Sequence, residues 1–494
     1  MYAVFKVLNM VYKEKMKRTK IVCTLGPAVD DAATLARVCT AGMDVARFNF
    51  SHGDYLDQQK RIDLFKSVRD ELKLPIAMML DTKGPEIRIG TFKNGEAYIK
   101  DGAHFTLMHD NCDGDEEKVY VNYETLYAEV IPGATILIND GIIELKVEEI
   151  KDKNIVCLVT HGGKLTNRKS VNIPGLSLNF PLMTEKDKAD ITFGVENNFD
   201  IIAASFVRKA DDILAIKNLL KDLNAPQISI IAKIENQEGV DNFDEILDVA
   251  DGIMVARGDL GVEIPMEKVP SIQKMFIRKC NEKGKIVIVA TQMLESMTTS
   301  PRPTRAEVND VANAVYDGAT AVMLSGEVAA GNFPVECVKM MHQITKTVEN
   351  EIDYWGNFCK FDDKTLIGNK NNLIVGHSLC ELAMQSNAKA IFSLSSGGHT
   401  PQAIASFKPK CPIFAITPNI STARRLNAVW NVTPIVVEEK ETEVEMIKEG
   451  LEYAKENNYI FDDDIVVIGE SDTYTRSNLL GAKHTKKVGG IYQL

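Results

Sequence analysis

The sequence is poor in the features that mark secreted, zinc-binding and membrane proteins. Its nine cysteines are scattered and no two form a Cys-x-x-Cys pair, which disfavours a disulfide framework or a zinc ribbon and indicates reduced thiols. No apolar run approaches the roughly 18–20 residues that span a bilayer. The opening stretch MYAVFKVLNMVYKEKMKRTK also lacks the small-residue cleavage site of a signal peptide. We therefore expect a cytoplasmic protein without a membrane partner.

The charge balance and several missing motifs exclude further classes. The formal net charge is -12, from 57 Lys and Arg against 69 Asp and Glu, which argues against nucleic acid as a partner. A small anionic substrate stays possible, because a local cluster of Arg and Lys can outweigh the global sign. The sequence has no G-x-S-x-G, no H-E-x-x-H and no P-loop lysine, so the common hydrolase and P-loop chemistries are not indicated.

What the sequence does have is a repeated alternation of short apolar runs and helical patterns. Eight such runs lie between Thr19 and Asn350: IVCTLG, DVARFNF, IAMMLD, DIIAASF, SIIAKIE, GIMVARGD, IVIVATQ and AVMLSGE. Strands that alternate with helices indicate a parallel sheet, and eight of them are the number that a (β/α)8 barrel requires. Thr304 and Glu307 form a Thr-x-x-Glu capping box that predicts a helix start within this region.

Two stretches interrupt or follow the barrel pattern. A Gly- and Asp-rich, strand-like region predicts a small all-β domain inserted after the third strand. A second βα alternation near the end predicts a separate doubly wound α/β domain. The predicted organisation is an N-terminal extension (1–18), a barrel (19–88 and 182–350), an inserted domain (89–181), a linker (351–371) and a C-terminal domain (372–494).

Polar residues stand at the carboxyl ends of six of these strands, where catalytic groups of such barrels lie. They are Arg47, Asn49 and Ser51 on the second strand, Asp81 and Thr82 on the third, Lys233 and Glu235 on the fifth, Arg257–Asp259 on the sixth, Thr291 on the seventh, and Ser325–Glu327 on the eighth. For one strand, a polar end that meets water is an equally good explanation. Six such ends together favour a shared active site.

The residue types indicate phosphoryl chemistry. Glu235 and Asp259 are hard oxygen ligands on neighbouring strands, which suits Mg²⁺ that keeps several waters. Lys233 and Arg47 supply positive charge for a phosphate. The backbone N–H groups of Gly258 and Asp259 can cradle an anion such as a carboxylate. This combination predicts electrostatic stabilisation of a transferring phosphoryl group.

A second polar group suits a monovalent cation, because it offers several oxygens but one negative charge. Its members, here called the monovalent-cation quartet, are Asn49, Ser51, Asp81 and Thr82. His52 lies beside them, and its role stays open between a structural hydrogen-bonding group and a catalytic base.

The same residues carry a resemblance to the pyruvate kinase family. Seven segments resemble its successive signature segments in order: TKIVCTLGP, DVARFNFSHG, LDTKGPEIR, IIAKIENQEGV, GIMVARGDLGVEI, VIVATQMLESM and PRPTRAEVNDVANAVYDGATAVMLSGE. The resemblance implies a TIM barrel with an inserted small β-barrel lid, a homotetramer, and the glycolytic transfer of the phosphoryl group of phosphoenolpyruvate to ADP. It also implies Mg²⁺ (or Mn²⁺) and K⁺ as cofactors.

The resemblance assigns roles to matching positions. Lys233, Thr291 and Arg47 resemble the catalytic residues, and Gly258 and Asp259 join them in substrate binding. Glu235 and Asp259 resemble the Mg²⁺ ligands, and the monovalent-cation quartet resembles the K⁺ ligands. The nucleotide-binding positions are Pro27, Asn49, His52, Arg88 and Lys169. Glu86 resembles the glutamate that accompanies a K⁺ requirement in this family.

Three alternatives stay open. A metal-dependent, enolate-forming lyase or mutase would use the Mg²⁺ carboxylates but neither the monovalent-cation quartet nor a lid. A catalytically silent, metabolite-sensing pseudo-kinase would have lost residues such as Lys233 or Arg47. In the C-terminal domain, Ser395, Ser396 and Thr400 resemble an effector site, whereas an ordinary N-capped turn explains them equally simply. The acidic segment Glu470–Arg476 would repel a second phosphate, so the sequence predicts a monophosphate activator such as a sugar monophosphate or AMP.

Overall fold

The computed structural model describes residues 16–360, 371–470 and 490–493. The predicted N-terminal extension (1–18) lies outside these ranges except for its last three residues, and the linker (351–371) falls partly outside them. The predicted domain bounds stay predictions.

The first part of the barrel alternates strands and helices as expected. Its elements are β1 (Lys20–Thr24), α1 (Ala32–Ala41), β2 (Val45–Asn49), α2 (Tyr55–Leu72) and β3 (Ala77–Asp81), with a 3-10 turn at Pro27–Val29. All five residues of β1 and of β3 are buried, which explains their continuous apolar character. Asp31 and Asp54 cap the two helices by accepting backbone N–H groups of Thr34 and Asp57.

The inserted region is built almost entirely of strands. Its elements are β4 (Glu96–Ile99), β5 (His104–Met108), β6 (Lys118–Tyr120), α3 (Leu126–Glu129), β7 (Thr135–Ile138), β8 (Ile143–Lys151), β9 (Asn154–His161), β10 (Gly163–Thr166) and β11 (Val171–Asn172). The strands form a six-stranded sheet in the order β11-β7-β8-β9-β5-β6 and a two-stranded sheet of β10 and β4. Buried residues such as Phe105, Ile136 and Leu145 share one core between them. Alternating burial along β4 and β7 reflects sheets with one buried face.

The chain then returns to complete the barrel. The elements are α4 (Glu185–Glu196), β12 (Ile201–Ala204), α5 (Ala210–Asp222), β13 (Ser229–Ile234), α6 (Gln237–Asp241), α7 (Phe243–Val249), β14 (Gly252–Ala256), α8 (Arg257–Glu263), α9 (Val269–Glu282), β15 (Ile286–Ala290), α10 (Arg305–Tyr316), β16 (Ala321–Leu324), α11 (Gly326–Ala329) and α12 (Pro334–Glu351), with 3-10 turns at Met266–Lys268 and Glu295–Thr298. The predicted capping box of Thr304 and Glu307 starts α10.

The eight predicted strands close into one parallel barrel, which confirms the predicted fold. Around it, the order is β1-β16-β15-β14-β13-β12-β3-β2, so strands that follow one another in the barrel also pair. Because side chains alternate along a strand, every second residue points into the barrel. On β1, β2, β3 and β13, an inward-pointing apolar residue is followed, two positions later in the sequence, by an inward-pointing polar residue. The apolar layer includes Val22, Val45, Met79 and Ile231, and the polar layer Thr24, Arg47, Asp81 and Lys233.

The C-terminal region forms a separate sheet. Its elements are α13 (Tyr354–Phe358), α14 (Asn371–Gln385), β17 (Ala390–Leu394), α15 (His399–Ser406), β18 (Ile413–Thr417), α16 (Ile420–Leu426), β19 (Val432–Val436), α17 (Glu443–Glu456), β20 (Ile465–Glu470) and β21 (Gly490–Gln493). The strands are arranged in the order β19-β18-β17-β20-β21, so successive strands are added on one side of β17 first and then on the other. Only β21 is antiparallel to its neighbour. This is the predicted doubly wound arrangement. In the described part of the chain, no helix has the length and apolarity that a membrane crossing needs.

Candidate active site

Asp81, at the end of β3, is the centre of the polar layer. Its Oδ2 accepts a hydrogen bond from Arg47 Nε at 2.6 Å, and its Oδ1 accepts one from Lys233 Nζ at 3.0 Å. Burial alone would raise the pKa of this carboxyl, but Arg47 and Lys233 outweigh burial, so its pKa lies below the ordinary value. Asp81 therefore stays ionised and binds the two positively charged side chains of Arg47 and Lys233.

Lys233 is enclosed by acceptors. Its ammonium lies 3.0 Å from Glu235 Oε1 and donates to Ser205 Oγ at 2.6 Å. Burial would lower the pKa of Lys233, whereas Asp81 and Glu235 raise it by more, so the lysine keeps its charge. A permanently charged ammonium at the mouth of the barrel is suited to neutralising a phosphoryl group.

Two members of this network escaped the sequence reasoning. Ser205 follows β12 and also donates to Thr82 O at 2.6 Å, while Thr24, the last residue of β1, accepts from Arg47 Nη1 at 2.8 Å. Both stand at strand ends in the predicted runs, so the signal was the same as for the six strands that we singled out. A lone hydroxyl at a strand end is too common to stand out.

Glu235 and Asp259 lie together, as two ligands of one cation must. Glu235 follows β13, is almost fully buried, and its Oε2 accepts the Phe206 N–H at 2.6 Å. Burial raises the pKa of Glu235; Lys233 offsets this in part, and Asp259 adds to it. Asp259 is exposed as a residue, yet desolvation of its carboxyl by the surrounding protein raises its pKa; Lys233 offsets this in part, and Asp140 of the inserted region adds to it. The pKa values of both carboxyls are raised, and for Glu235 the neighbouring Asp259 is one of the causes. A divalent cation would stabilise the ionised form of both groups.

The donor set fits a hard cation that keeps part of its hydration. Among the residues that the structure describes, no group of three or more His, Cys, Asp and Glu side chains is placed to hold a metal. Mg²⁺ is commonly held by one or two carboxylates, with water and substrate oxygens as further ligands. Glu235 and Asp259 meet this requirement.

Thr291 is held in a backbone conformation that β-branched residues rarely adopt. Its φ is +69°, and that of the next residue, Gln292, is +54°. Thr291 Oγ1 accepts the Gly258 N–H at 2.8 Å, and Arg257 Nη2 donates to Thr291 O at 2.6 Å. The first turn of α8 therefore fixes the loop after β15. It also means that the Gly258 N–H, predicted to cradle an anion, has a partner in this structure.

Glu327 has a different role from the one its position suggested. The sequence predicts it among the polar strand ends of the cleft, but it is fully buried, and its carboxylate accepts the N–H groups of Leu294 at 3.1 Å and Ser325 at 2.7 Å. It thus joins the loops after β15 and β16 and presents no oxygen to the cleft. A buried brace of this kind keeps the strained Thr291 loop in place.

The predicted monovalent-cation quartet occupies the ends of β2 and β3. Asn49 Oδ1 accepts the Ser51 N–H at 3.0 Å, and Thr82 Oγ1 accepts the Ser205 N–H at 3.1 Å. The two oxygens of Asp81 already bind Arg47 and Lys233, but each carboxylate oxygen has further acceptor capacity. Asp81, a member of the quartet, also accepts the hydrogen bond from Lys233, so the quartet and Lys233 are direct neighbours.

Of the predicted nucleotide positions, Asn49 belongs to the quartet itself, and the others lie on loops and on the inserted region. Pro27 and His52 are exposed on the loops after β1 and β2. Arg88 pairs with Glu86 at 2.6 Å and donates to Arg168 O at 2.6 Å, which ties the two chain connections of the inserted region together. Lys169 lies next to this crossing and is partly exposed.

The predicted effector residues lie in the turn between β17 and α15. Ser395 is buried, and its Oγ accepts the N–H of Gly398, which has a φ of +87°. Ser396 is exposed, and Thr400 is buried within the first turn of α15. Residues 471–476 of the acidic segment lie outside the described residues.

Comparisons with known proteins agree with one another. Residues 16–338 match the family model "Pyruvate kinase, barrel domain", and residues 374–480 match "Pyruvate kinase, alpha/beta domain". The pyruvate kinase of Clostridium acetobutylicum is 43% identical over 480 residues, which cover 96% of this chain and 99% of the relative. Those of Staphylococcus saprophyticus and Geobacillus stearothermophilus are 45% and 46% identical, over 92% of this chain and 77% of each relative.

Proposed function

The chain belongs to the pyruvate kinase family, and we propose that it transfers the phosphoryl group of phosphoenolpyruvate to ADP, with Mg²⁺ (or Mn²⁺) and K⁺ as cofactors. The observation that carries this proposal is the charged Lys233, which is held between Asp81 and Glu235. The carboxylate of Asp259 lies beside them. A fixed positive charge beside two carboxylates that can hold a divalent cation supports phosphoryl transfer.

Each of the chain's own groups has a task in this proposal. Glu235 and Asp259 hold the divalent cation, which when bound neutralises developing negative charge on substrate oxygens. Arg47 presents its guanidinium to the phosphate and is kept in place by Asp81 and Thr24. Lys233 donates to the phosphoryl oxygens, where its charge acts most strongly in the transition state.

The carboxylate and enolate ends of the substrate face α8 and the Thr291 loop. We propose that the N–H groups of Gly258 and Asp259 bind the substrate carboxylate, in competition with Thr291 Oγ1 for the Gly258 N–H. Thr291 then lies beside the methylene carbon that takes up a proton once the phosphoryl group has left. The strained conformation of Thr291 supports a functional role, because strain of this kind persists only where the surroundings fix it.

The remaining assignments concern the nucleotide and K⁺. We assign Pro27, Asn49, His52, Arg88 and Lys169 to the nucleotide, with the inserted region as a lid that excludes water. Asn49, Ser51, Asp81 and Thr82 bind K⁺.

Regulation and assembly complete the proposal. A phosphorylated effector binds at Ser395, Ser396 and Thr400, where one exposed hydroxyl and the backbone of a helix start are available. We propose a single phosphate, because the acidic segment Glu470–Arg476 would repel a second one. We further propose a cytoplasmic homotetramer.

The test is a lactate dehydrogenase-coupled assay of the purified protein with phosphoenolpyruvate, ADP, Mg²⁺ and K⁺. Pyruvate formation that requires both substrates and both cations is the expected result. Pyruvate and inorganic phosphate formed without ADP would show transfer to water and refute the proposed transfer to ADP. Consumption of phosphoenolpyruvate without ADP and without pyruvate formation would favour the mutase alternative. No turnover, with phosphoenolpyruvate still bound, would favour the metabolite-sensing alternative.

A further inference from the structure

The inserted region is fastened to the barrel on one side by Arg208, in the loop after β12. The guanidinium of Arg208 donates to the carbonyl oxygens of Leu178, Phe180 and Pro181 at 3.1–3.3 Å, and it is held by Asp212 at 2.9 Å. Arg208 and Asp212 are both buried. The returning connection is therefore anchored to the barrel here.

A second contact, a hydrogen bond between two side chains, also joins the inserted region to the barrel. Asn172 Nδ2, at the end of β11, donates to Glu263 Oε1 at 2.7 Å. Asn172 and Glu263 both line a cavity of about 260 Å³, together with Gly175, Leu176 and Asp241. The bond therefore borders open space, and we expect it to break and form when the inserted region moves relative to the barrel.

The barrel partner of this bond belongs to the helix that carries the substrate-binding groups. Glu263 is the last residue of α8, whose first turn supplies Gly258 and Asp259. On the side of the inserted region, Asn172 lies three residues from Lys169. Glu263 is half-buried, and burial raises the pKa of its carboxyl while the Asn172 amide counteracts this. Loss of the amide donor would leave this carboxylate in a poor environment.

We propose that Glu263 is a positioning residue for phosphoryl transfer: it accepts the Asn172 amide when the inserted region closes and so sets Lys169 over the nucleotide. The inference rests on the proposed function, because it assigns a partner to the proposed lid. It predicts a change in nucleotide use, with the affinity for phosphoenolpyruvate much less affected.

The chain allows a test in which the donor and the acceptor are exchanged. Asn172→Asp places two carboxylates in contact, and we expect kcat/KM for ADP to fall about tenfold, as for a lost hydrogen bond to a charged group. Glu263→Gln retains an acceptor oxygen for Asn172, and we expect a loss below about threefold. In the double variant Asn172→Asp/Glu263→Gln, the glutamine amide donates to the new aspartate, and we expect most of the tenfold loss to be recovered.

Control variants and a readout other than activity complete the design. Asn94→Asp adds the same charge at an exposed turn of the inserted region, and Glu267→Gln removes one from an exposed position after α8. Neither should change kcat/KM. Hydrogen–deuterium exchange of residues 171–178 in the free protein should speed up in Asn172→Asp and slow again in the double variant.

The inference is overturned if the double variant is no better than Asn172→Asp, or if Asn172→Asp behaves like Asn94→Asp. A wild-type protein without phosphoenolpyruvate-dependent turnover would instead refute the proposed function. In that event the exchange pattern still decides whether the Asn172–Glu263 bond holds the inserted region closed.

Discussion

Replacement of Lys233 by methionine removes the charge on which the proposed transfer depends. In the structure, this ammonium lies 3.0 Å from both Asp81 Oδ1 and Glu235 Oε1. Methionine fills a similar volume, so the consequences are mainly electrostatic. Asp81 keeps Arg47 as a partner, but Glu235 loses the cation that offsets its burial.

The magnitude follows from these contacts. Loss of one partner of a buried ion pair typically costs about 3–5 kcal/mol in folding stability. Protonation of Glu235 reduces that cost, because its pKa is already raised, and a bound divalent cation reduces it further. Neither effect restores the positive charge that turnover needs. Loss of a charge that acts in the transition state lowers the rate by about 10²–10³. We therefore expect kcat to fall by this factor, while the affinity for phosphoenolpyruvate changes little.

The assay compares two buried lysines at opposite ends of the barrel. Lys20 is also buried on a barrel strand, but its Nζ donates to Val432 O of the C-terminal region. Coupled turnover, phosphoenolpyruvate binding and thermal unfolding are measured for Lys233→Met and Lys20→Met. Lys20→Met should lose stability and keep its turnover. If Lys233→Met retained more than about a tenth of wild-type kcat, the role that we assign to Lys233 would be wrong.

Three further predictions concern the brace, the monovalent cation and the effector. Glu327→Gln should lower both the unfolding temperature and kcat, because Leu294 and Ser325 donate to different oxygens of the carboxylate and the amide replaces one of these oxygens with a donor, and each buried group left without a partner costs about 1–3 kcal/mol; unchanged values in calorimetry and in the coupled assay would show that the brace is unimportant. Turnover should be low in tetramethylammonium buffer and should return on addition of KCl, and full activity without K⁺ would refute the proposed quartet. At subsaturating phosphoenolpyruvate, AMP or a sugar monophosphate should activate more than fructose 1,6-bisphosphate does; strong activation by the bisphosphate alone that Thr400→Ala abolishes would contradict the predicted monophosphate preference.

The barrel could be predicted from the sequence because its strands are buried on both faces. Runs such as IVIVATQ are continuously apolar for that reason, and the polar residues at their ends then stand out. Arg47, Lys233, Glu235 and Asp259 were found in this way, and the structure brings all four into one network.

The features of the site that could not be predicted from the sequence depend on contacts between distant segments of the chain. Ser205 and Thr24 are single hydroxyl residues whose role appears only once Lys233 and Arg47 are placed beside them. Glu327 looked like a cleft residue, because the periodicity of a strand does not reveal that the carboxylate turns toward two backbone N–H groups. Asn172 and Glu263 lie far apart in the chain and in different predicted domains, and neither has a local pattern that indicates the other.

Direct observation of the phosphorus atom tests the central claim most sharply. Phosphoenolpyruvate and ADP are mixed with the purified protein, Mg²⁺ and K⁺, and the reaction is followed by ³¹P NMR. The account predicts that the phosphoenolpyruvate signal disappears only when ADP is present and reappears as the γ-phosphate of ATP. Loss of phosphoenolpyruvate without ADP, or its conversion to inorganic phosphate, would contradict it.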